Sequence, residues 1–467
     1  MVPNIRPINR LFIANRGEIA VRIIRACKDL GIETVIGVSD ADRGSLGSTM
    51  ADRAICVGAA PAPESYLRAD FLISAALGTG CDAVHPGYGF LSEKAQFADA
   101  CAKEGLTFVG PPSRVIEMMG DKISAVHAAG AAGVPTLPCS PALEALSDAM
   151  AWANRIGYPC IIKASAGGGG RGMRIVGTDS DVRANFTSAR TEAEAAFGNA
   201  TVYLEKYVQH ARHIEAQVIA DRLGAVCHLF ERDCTVQRRH QKLVEEAPSP
   251  ILSEAVRLEL LASAVALAEA VEYQNVGTIE YLYDIDEEKF YFLEMNTRLQ
   301  VEHPVTELVT GIDIVQEQIR ISEGYPLSFI QEDVECVGSA IECRINAEDP
   351  KDNFHPSPGG ISEWCPPGHR NVRMDTHCFD GYLVPPYYDS LLAKLIVHSP
   401  DRKTTIHDLA KNLEDFKIGG VKTTKQLLTE VISCDDFGEG DVTTTWLEQE
   451  FLPRWIGSSP ANGGLQT

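Results

Sequence analysis

No Cys-x-x-Cys pair occurs among the 13 cysteines of this chain, which are scattered as Cys27, Cys56, Cys81, Cys101, Cys139 and onward in an odd total. That pattern excludes a zinc ribbon and a secreted disulfide framework, and predicts reduced thiols in a cytoplasmic compartment. A run of about 18 apolar residues able to span a bilayer is also missing. The stretch "LFIA" at 11–14 is short and leads straight into Asn15, Arg16 and Glu18, so no signal-peptide core is expected. Positive charge is scarce: 42 Lys and Arg stand against 64 Asp and Glu, a formal net charge of -22. Nucleic acid and anionic membrane select clustered basic surfaces, so neither is an expected partner, and any polyanion must be held by a local site. There is no internal repeat or low-complexity tract. What is present is 467 residues of ordinary globular composition, 45% hydrophobic, long enough for roughly two to four domains.

Residues 11–110 alternate strand-like and helical patterns: "LFIA", a helix from Glu18 with Ile19, Ile23, Cys27 and Leu30 on one stripe, then "TVIGVS", "CDAVHP" and "LTFVG". This alternation predicts a doubly wound parallel sheet. The fingerprint G-x-G-x-x-G does not follow the first strand, where "ANRGEIA" stands, so a dinucleotide cofactor is not expected there. "GPP" at 110–112, "MGDK" at 119–122 and the Pro-punctuated "VPTLP" mark a change. Strands with short turns follow, with a long helix near "SEAVRLELLASAVALAEAVEY", and from about Gly338 a third block carries "HPSPGG", "WCPPGH" and "VPPYYDS". The expected units are 1–118, 119–337 and 338–455, with a disordered polar tail at 456–467.

Three stretches carry chemistry. "YPCIIKASAGGGGRGMRIV" at 158–176 places four consecutive glycines between two strand-like runs, unlike a P-loop, which opens a helix. A Gly-rich hairpin tip can fold backbone N–H groups over phosphate oxygens, with Lys163 and Arg171 adding charge; a plain flexible loop is the alternative. "GTIEYLYDIDEEKFYFLEMN" at 277–296 reads as a hairpin turning near Asp286. On that register Glu280 faces Phe292 and meets Glu294 diagonally, at roughly 7–8 Å, so both carboxylates can grip one Mg²⁺, with Asn296 on the same face; a hairpin with a solvated acidic side is the alternative. The row continues through "TRLQVEH", where Arg298, Gln300 and Glu302 keep the even spacing if the segment stays extended, with Pro304 expected to end it. In "ERDCTVQRRHQKLVEEAP" at 231–248, Arg238, His240 and Lys242 can face one anion if that segment is extended; the alternative is a solvated charged loop.

Taken together, "IANRGEIAVRIIRAC", "HPGYGFLSE", "IIKASAGGGGRGM", "ERDCTVQRRHQK", "EMNTRLQVEHPVTE" and "ECRINAEDP" resemble the biotin carboxylase family of ATP-grasp enzymes, from about residue 10 to 450. The resemblance implies an α/β and α+β fold: a Rossmann-like N-terminal domain, an ATP-grasp domain with a mobile Gly-rich lid at about 135–208, and a C-terminal α+β domain. It also implies a reaction in which ATP and bicarbonate form carboxyphosphate and the carboxyl group passes to biotin on a carrier protein. By similarity Lys122, Lys163, Gly169, Gly170, Met173, His213, Gln237 and His240 contact the nucleotide, and Glu205, Lys206, Val208 and Leu282 frame its adenine. Glu280, Glu294 and Asn296 hold Mg²⁺ or Mn²⁺. Lys242, Arg298, Gln300 and Val301 cradle bicarbonate, Glu302 is its general base, and Arg344, with Tyr88, serves carboxyphosphate or biotin. Two departures from the family pattern are Ala166, where glycine is usual, and His355, where an aliphatic residue is expected.

No "AMKM"-like biotinylation segment is present, so the biotin carboxyl carrier protein and the carboxyltransferase are expected on separate chains, and a homodimer is implied by resemblance alone. The rival readings are another ATP-grasp ligase making an acyl phosphate, and a non-catalytic subunit that docks a carrier.

Overall fold

The structure, a computed structural model, describes residues 5–164, 173–368 and 370–458. Near the N-terminus, β1 (Arg10–Ile13), helix α1 (Gly17–Asp29), β2 (Glu33–Ser39), β3 (Arg53–Gly58), β4 (Ala83–His85) and β5 (Thr107–Phe108) build a parallel sheet in the order β3-β2-β1-β4-β5. Leu11, Phe12 and Ile13 are all fully buried, because a parallel sheet is covered on both faces. Ile19, Ile23 and Cys27 of α1 pack into its core, while Leu30 closes the helix and is only partly buried.

The β1–α1 turn is closed by the chain itself. Asn15 Nδ2 donates to the carbonyls of Pro86 and Tyr88, both at 2.7 Å, and Arg16 grips Asp42 bidentately at 2.8 and 2.9 Å.

Helix α2 (Lys122–Ala131) starts at a cap in which Asp121 accepts from the Ser124 N–H at 2.8 Å. Next come α3 (Leu146–Ile156), β6 (Cys160–Ala164), β7 (Arg174–Val176), α4 (Asp179–Phe197) and β8 (Val202–Lys206). The strands form an antiparallel sheet, β7-β6-β8, whose apolar side packs on the two helices through Ala149, Ala153, Ile162, Val176, Phe186 and Leu204. The glycine run connects β6 to β7, two hairpin strands as expected; Ala166, Gly169, Gly170 and Arg171 lie outside the described residues.

The rest of the chain is built on one eight-stranded antiparallel sheet. Its strands are β9 (Ala211–Ala220), β10 (Val226–Arg238), β11 (Gln241–Ala247), β12 (Asn275–Asp284), β13 (Lys289–Asn296), β14 (Ser339–Asn346), β15 (Val372–Thr376) and β16 (Leu391–Ser399), in the order β13-β12-β9-β10-β11-β14-β16-β15. Helix α5 (Glu254–Ala270) buries Leu260, Leu261, Ala264 and Leu267 against Ile214, Ala216 and Val218. Helix α6 (His303–Thr310) lays Val305 and Val309 on Ala247, Ala340 and Ile396. Strands from both sides of residue 338 share this sheet: Val244 pairs with Cys343 and Ala247 with Ala340.

Three local expectations are corrected. The hairpin turn falls between Asp284 and Lys289, so Phe292 pairs with Tyr281, and a bulge at Leu293 then brings Glu294 directly opposite Glu280 instead of diagonal to it. The even-numbered row is extended only to Asn296; residues 297–302 bend, and α6 begins at His303 with Pro304 in its first turn, where a missing N–H costs nothing. Arg239 and His240 form a tight turn with φ of 48° and 64°, so Gln237, not Arg238, is the cross-strand partner of Lys242. Arg238 turns outward to Asn353 Oδ1 at 2.9 Å and lies over the Phe354 ring. Residues 456–458 of the expected tail still belong to a helix, Leu452–Ser458, and 459–467 lie outside the described residues.

Candidate active site

Between the β6–β8 sheet and the large sheet opens a cleft of about 1640 Å³, lined from all parts of the chain. Lys122, Lys163, Met173, Glu205, Lys206, Val208, His213, Gln237, His240 and Leu282 border it, as do Glu280, Glu294, Asn296, Arg298, Gln300, Val301, Lys242, Arg344 and Tyr88. One end is apolar: Leu137, Val208 and Ala211 form a small cluster against Leu282 and Tyr291, a wall suited to a flat ring. Beside it, Lys163 on β6 pairs with Glu205 on β8, and Lys206 Nζ donates to the Tyr158 carbonyl at 3.1 Å. His240 projects from its left-handed turn, exposed at the cleft.

The other end is dense with charge. Lys242 Nζ lies 2.5 Å from Glu215 Oε2, 2.9 Å from Glu280 Oε1 and 2.7 Å from Glu302 Oε1. Burial pulls its pKa down, but the three carboxylates overrule burial and hold the ammonium well above the usual lysine value. Glu302 is completely buried beneath the cleft wall, its second oxygen 2.9 Å from Arg344. Burial pushes this carboxyl up, yet Lys242, Arg344 and Arg232 outweigh that and keep it well below the usual range, so it is an anion. Ionised and aimed at two cations, Glu302 can accept a proton once an anionic ligand draws Lys242 or Arg344 aside.

The bend after β13 is held by Arg298, which donates to Glu93 Oε2, Gln300 Oε1 and Asn296 Oδ1, each at 2.9 Å. Asn296 Nδ2 and Gln300 Nε2 both donate to Glu280 Oε1, at 3.0 and 3.1 Å, and His213 Nε2 sits 3.2 Å from Glu280 Oε2. Glu294 opens onto the cleft, where burial and the charge of Glu280 raise its pKa. Two facing carboxylates with an amide oxygen nearby are the all-oxygen set that suits Mg²⁺ or Mn²⁺, and a divalent cation between them relieves the repulsion that raises Glu294.

Several members of this site escaped the sequence reading. Glu215 is fully buried and bridges Lys242 to Arg232, whose guanidinium also reaches Gln217 Oε1 and Thr306 Oγ1. Lys394, with no exposed surface, donates to the Val301 carbonyl at 2.8 Å and pairs with Glu18 at 3.1 Å. The available signal was polar residues placed in apolar strands, "HIEAQVIA" and "LLAKLIV". His355 is exposed, at a two-residue bridge with Asp349, and nothing in the site touches it.

Comparison with known proteins follows this geometry closely. Residues 7–116 match the biotin carboxylase N-terminal domain, 121–330 the ATP-binding domain of the carbamoyl-phosphate synthase L chain, and 342–449 the biotin carboxylase C-terminal domain. The chain is 49% identical over 442 residues to biotin carboxylase 1 of Bacillus subtilis, covering 94% of this chain and 98% of that protein. The chain belongs to the biotin carboxylase family. It is an ATP-dependent ligase of the ATP-grasp kind. Among solved biotin carboxylase structures, the domain dimer of the 2-oxoglutarate carboxylase of Hydrogenobacter thermophilus, in complex with MgADP, ADP and bicarbonate, superposes with a TM-score of 0.89. It is 45% identical, over 97% of this chain and 99% of that one. Pyruvate carboxylase of Rhizobium etli is similar at a TM-score of 0.89 and 42% identity, over 97% of this chain and 41% of its own longer chain.

Proposed function

We propose that this biotin carboxylase runs its half-reaction, ATP- and bicarbonate-dependent carboxylation of carrier-bound biotin, at the charged end of the cleft, with Glu302 as the base. The observation that carries this reading is the placement of Glu302 between Lys242 and Arg344, next to the Glu280–Glu294 pair. Bicarbonate must lose a proton as its oxygen attacks the γ-phosphate, and two anions must be brought together for that to happen. Lys242 and Arg298 supply the cationic cradle, Gln300 a hydrogen bond, and the backbone of Val301, fixed by Lys394, the last wall. Glu280 and Glu294, helped by Asn296, would hold Mg²⁺ or Mn²⁺, which supplies charge neutralisation across the phosphates when bound. His213, Gln237, His240, Lys122 and Lys163 surround the phosphate path, and the wall of Val208 and Leu282 with Glu205 and Lys206 takes the adenine. Met173, at the foot of β7, borders the same path, and Gly169 and Gly170 are assigned to the phosphates by resemblance alone. Arg344 and Tyr88 face the biotin side, where a guanidinium stabilises developing negative charge.

A biotin carboxyl carrier protein and a carboxyltransferase are assigned as its working partners, and the chain to a homodimer in a cytoplasmic compartment. Support for the dimer is the dimeric 2-oxoglutarate carboxylase relative; support for the compartment is that all 13 cysteines are free. The deciding assay is ADP release by the purified chain with Mg²⁺-ATP and bicarbonate, with and without free biotin. Release that needs bicarbonate and rises with biotin is expected; release indifferent to biotin points to a different acyl-phosphate chemistry.

A further inference from the structure

Two carboxyls under the cleft floor take no part in the half-reaction as assigned. Glu245 of β11 and Glu342 of β14 are direct partners in the antiparallel ladder and both are completely buried; among the described residues neither oxygen of Glu342 has a hydrogen-bond partner, and Glu245 has only the Arg344 guanidinium beside it. Facing positions put Cβ atoms about 5 Å apart on the same side of a sheet. Two such carboxylates, both ionised with a single shared guanidinium beside only one of them, cost more than the fold can easily carry. Among the described residues Glu245 alone of the two has a cation within ion-pair distance: Arg344, 2.5 Å from Glu245 Oε1 and 2.9 Å from Glu302 Oε2. Around the pair stand Arg344 and Cys343 from β14, Lys242 from β11 itself, Cys234 from β10, Glu302 from the bend before α6, and Lys394 from β16. Helix α6 lies above with His303, kept neutral by burial and nearby cations, and Glu307, already paired with Arg22 and Arg373.

We propose that Glu245 and Glu342 hold one proton between them, carried by Glu342, and that ionised Glu245 is a positioning residue: it shares Arg344 with Glu302 and so keeps Glu302 basic enough to work. Without Glu245's charge, Arg344 turns wholly to Glu302 and stabilises its anionic form further. Titration behaviour agrees with the geometry. Burial pushes both carboxyls up; Arg344 brings Glu245 back to about 7, whereas Glu342, opposed chiefly by a Lys394 already paired with Glu18, stays well above the carboxylate range.

The proton is tested without reference to turnover. Infrared spectra of the folded protein at neutral pH should show a protonated-carboxyl band that weakens in E342Q and persists in E245Q; a band unchanged in E342Q overturns the shared proton. The positioning role rests on the base assigned to Glu302, and is read from the biotin-dependent assay. E245Q should lower kcat about tenfold, the consequence of roughly one unit of basicity at Glu302, with KM for ATP unmoved and the fall in activity below about pH 7 flattened. E342Q, which copies the protonated acid, should keep the wild-type kcat. Equal losses in the two variants mean a packing role and overturn the proposal. If E245Q does not fold, E342Q still decides: a tenfold loss there contradicts a proton already resident on Glu342. Failure of wild-type biotin dependence would count against the functional reading, and the infrared result stands apart from it.

Discussion

At the scale of single residues, the site is governed by cations divided among too many anions. Lys242 serves Glu215, Glu280 and Glu302 at once, and Arg344 serves Glu245 and Glu302. Such a set is poised for an incoming anion, because each cation can leave one partner without leaving a charge unpaired. Glu302→Gln keeps the shape but removes the base and one of the two acceptors, so turnover should fall by about 10²–10⁴-fold while ATP binding, measured by titration calorimetry, is nearly unchanged. Loss of ATP affinity with turnover per bound nucleotide preserved would move Glu302 out of the chemistry. His240 offers a contrasting case, since its φ of 64° is a conformation glycine adopts freely. His240→Gly should hold thermal stability within about 1 kcal/mol yet raise KM for ATP, separating the strain of the turn from the contact it presents.

Elements position these residues through connections that cross the fold. The bend at 297–302 has no ladder of its own; it is pinned by Arg298 to Glu93 and by the Val301 carbonyl to Lys394, a residue of the distant β16. Lys394→Met leaves Glu18 and Asp375 without that buried cation, and a loss of about 3–5 kcal/mol in urea denaturation is expected. The sequence displayed the alternation in "FLEMNTRLQVEH", the glycines between two strands and the acid pair, because each is a local pattern. It could not display the bulge at Leu293, which exists only relative to β12, nor the bend after Asn296, which depends on α6 docking over Ala247 and Ala340. Glu215, Arg232 and Lys394 were hidden for the same reason: their partners lie far along the chain, and a lone charge in a strand does not announce which cavity it serves. Four strands of the parallel N-terminal sheet were legible, since their period and short connections are written locally, while the half-exposed edge strand β3, Arg53–Gly58, lacks a buried apolar run and went unread.

Across the whole molecule, three of the described histidines are buried and held neutral: His85 at the end of β4, His303 at the head of α6, and His377 just past β15. Burial, with Arg22 near His85 and Arg16 near His377, lowers both of these to about 3, and His303 is also held well below its usual value. A base whose folded pKa is depressed contributes its full stability above the unfolded value near 6.5 and loses it as pH falls toward the folded value. Buried carboxyls such as Glu18 and Glu342, raised in the fold, act in the opposite sense, so the comparison must be with a variant. His85→Gln should lose less stability than the wild type on acidification, by about 1.4 kcal/mol per pH unit below about 6.5, as read from denaturant midpoints. The uninterrupted sheet has a consequence for heredity. With β14 hydrogen-bonded between β11 and β16, a recombination breakpoint anywhere from β9 to β16 leaves both fragments with a raw, aggregation-prone edge. Pieces of such a sheet can be exchanged only for pieces that bring the matching edge, so a chimera with an unrelated half is expected to aggregate, as light scattering of the refolded protein would show.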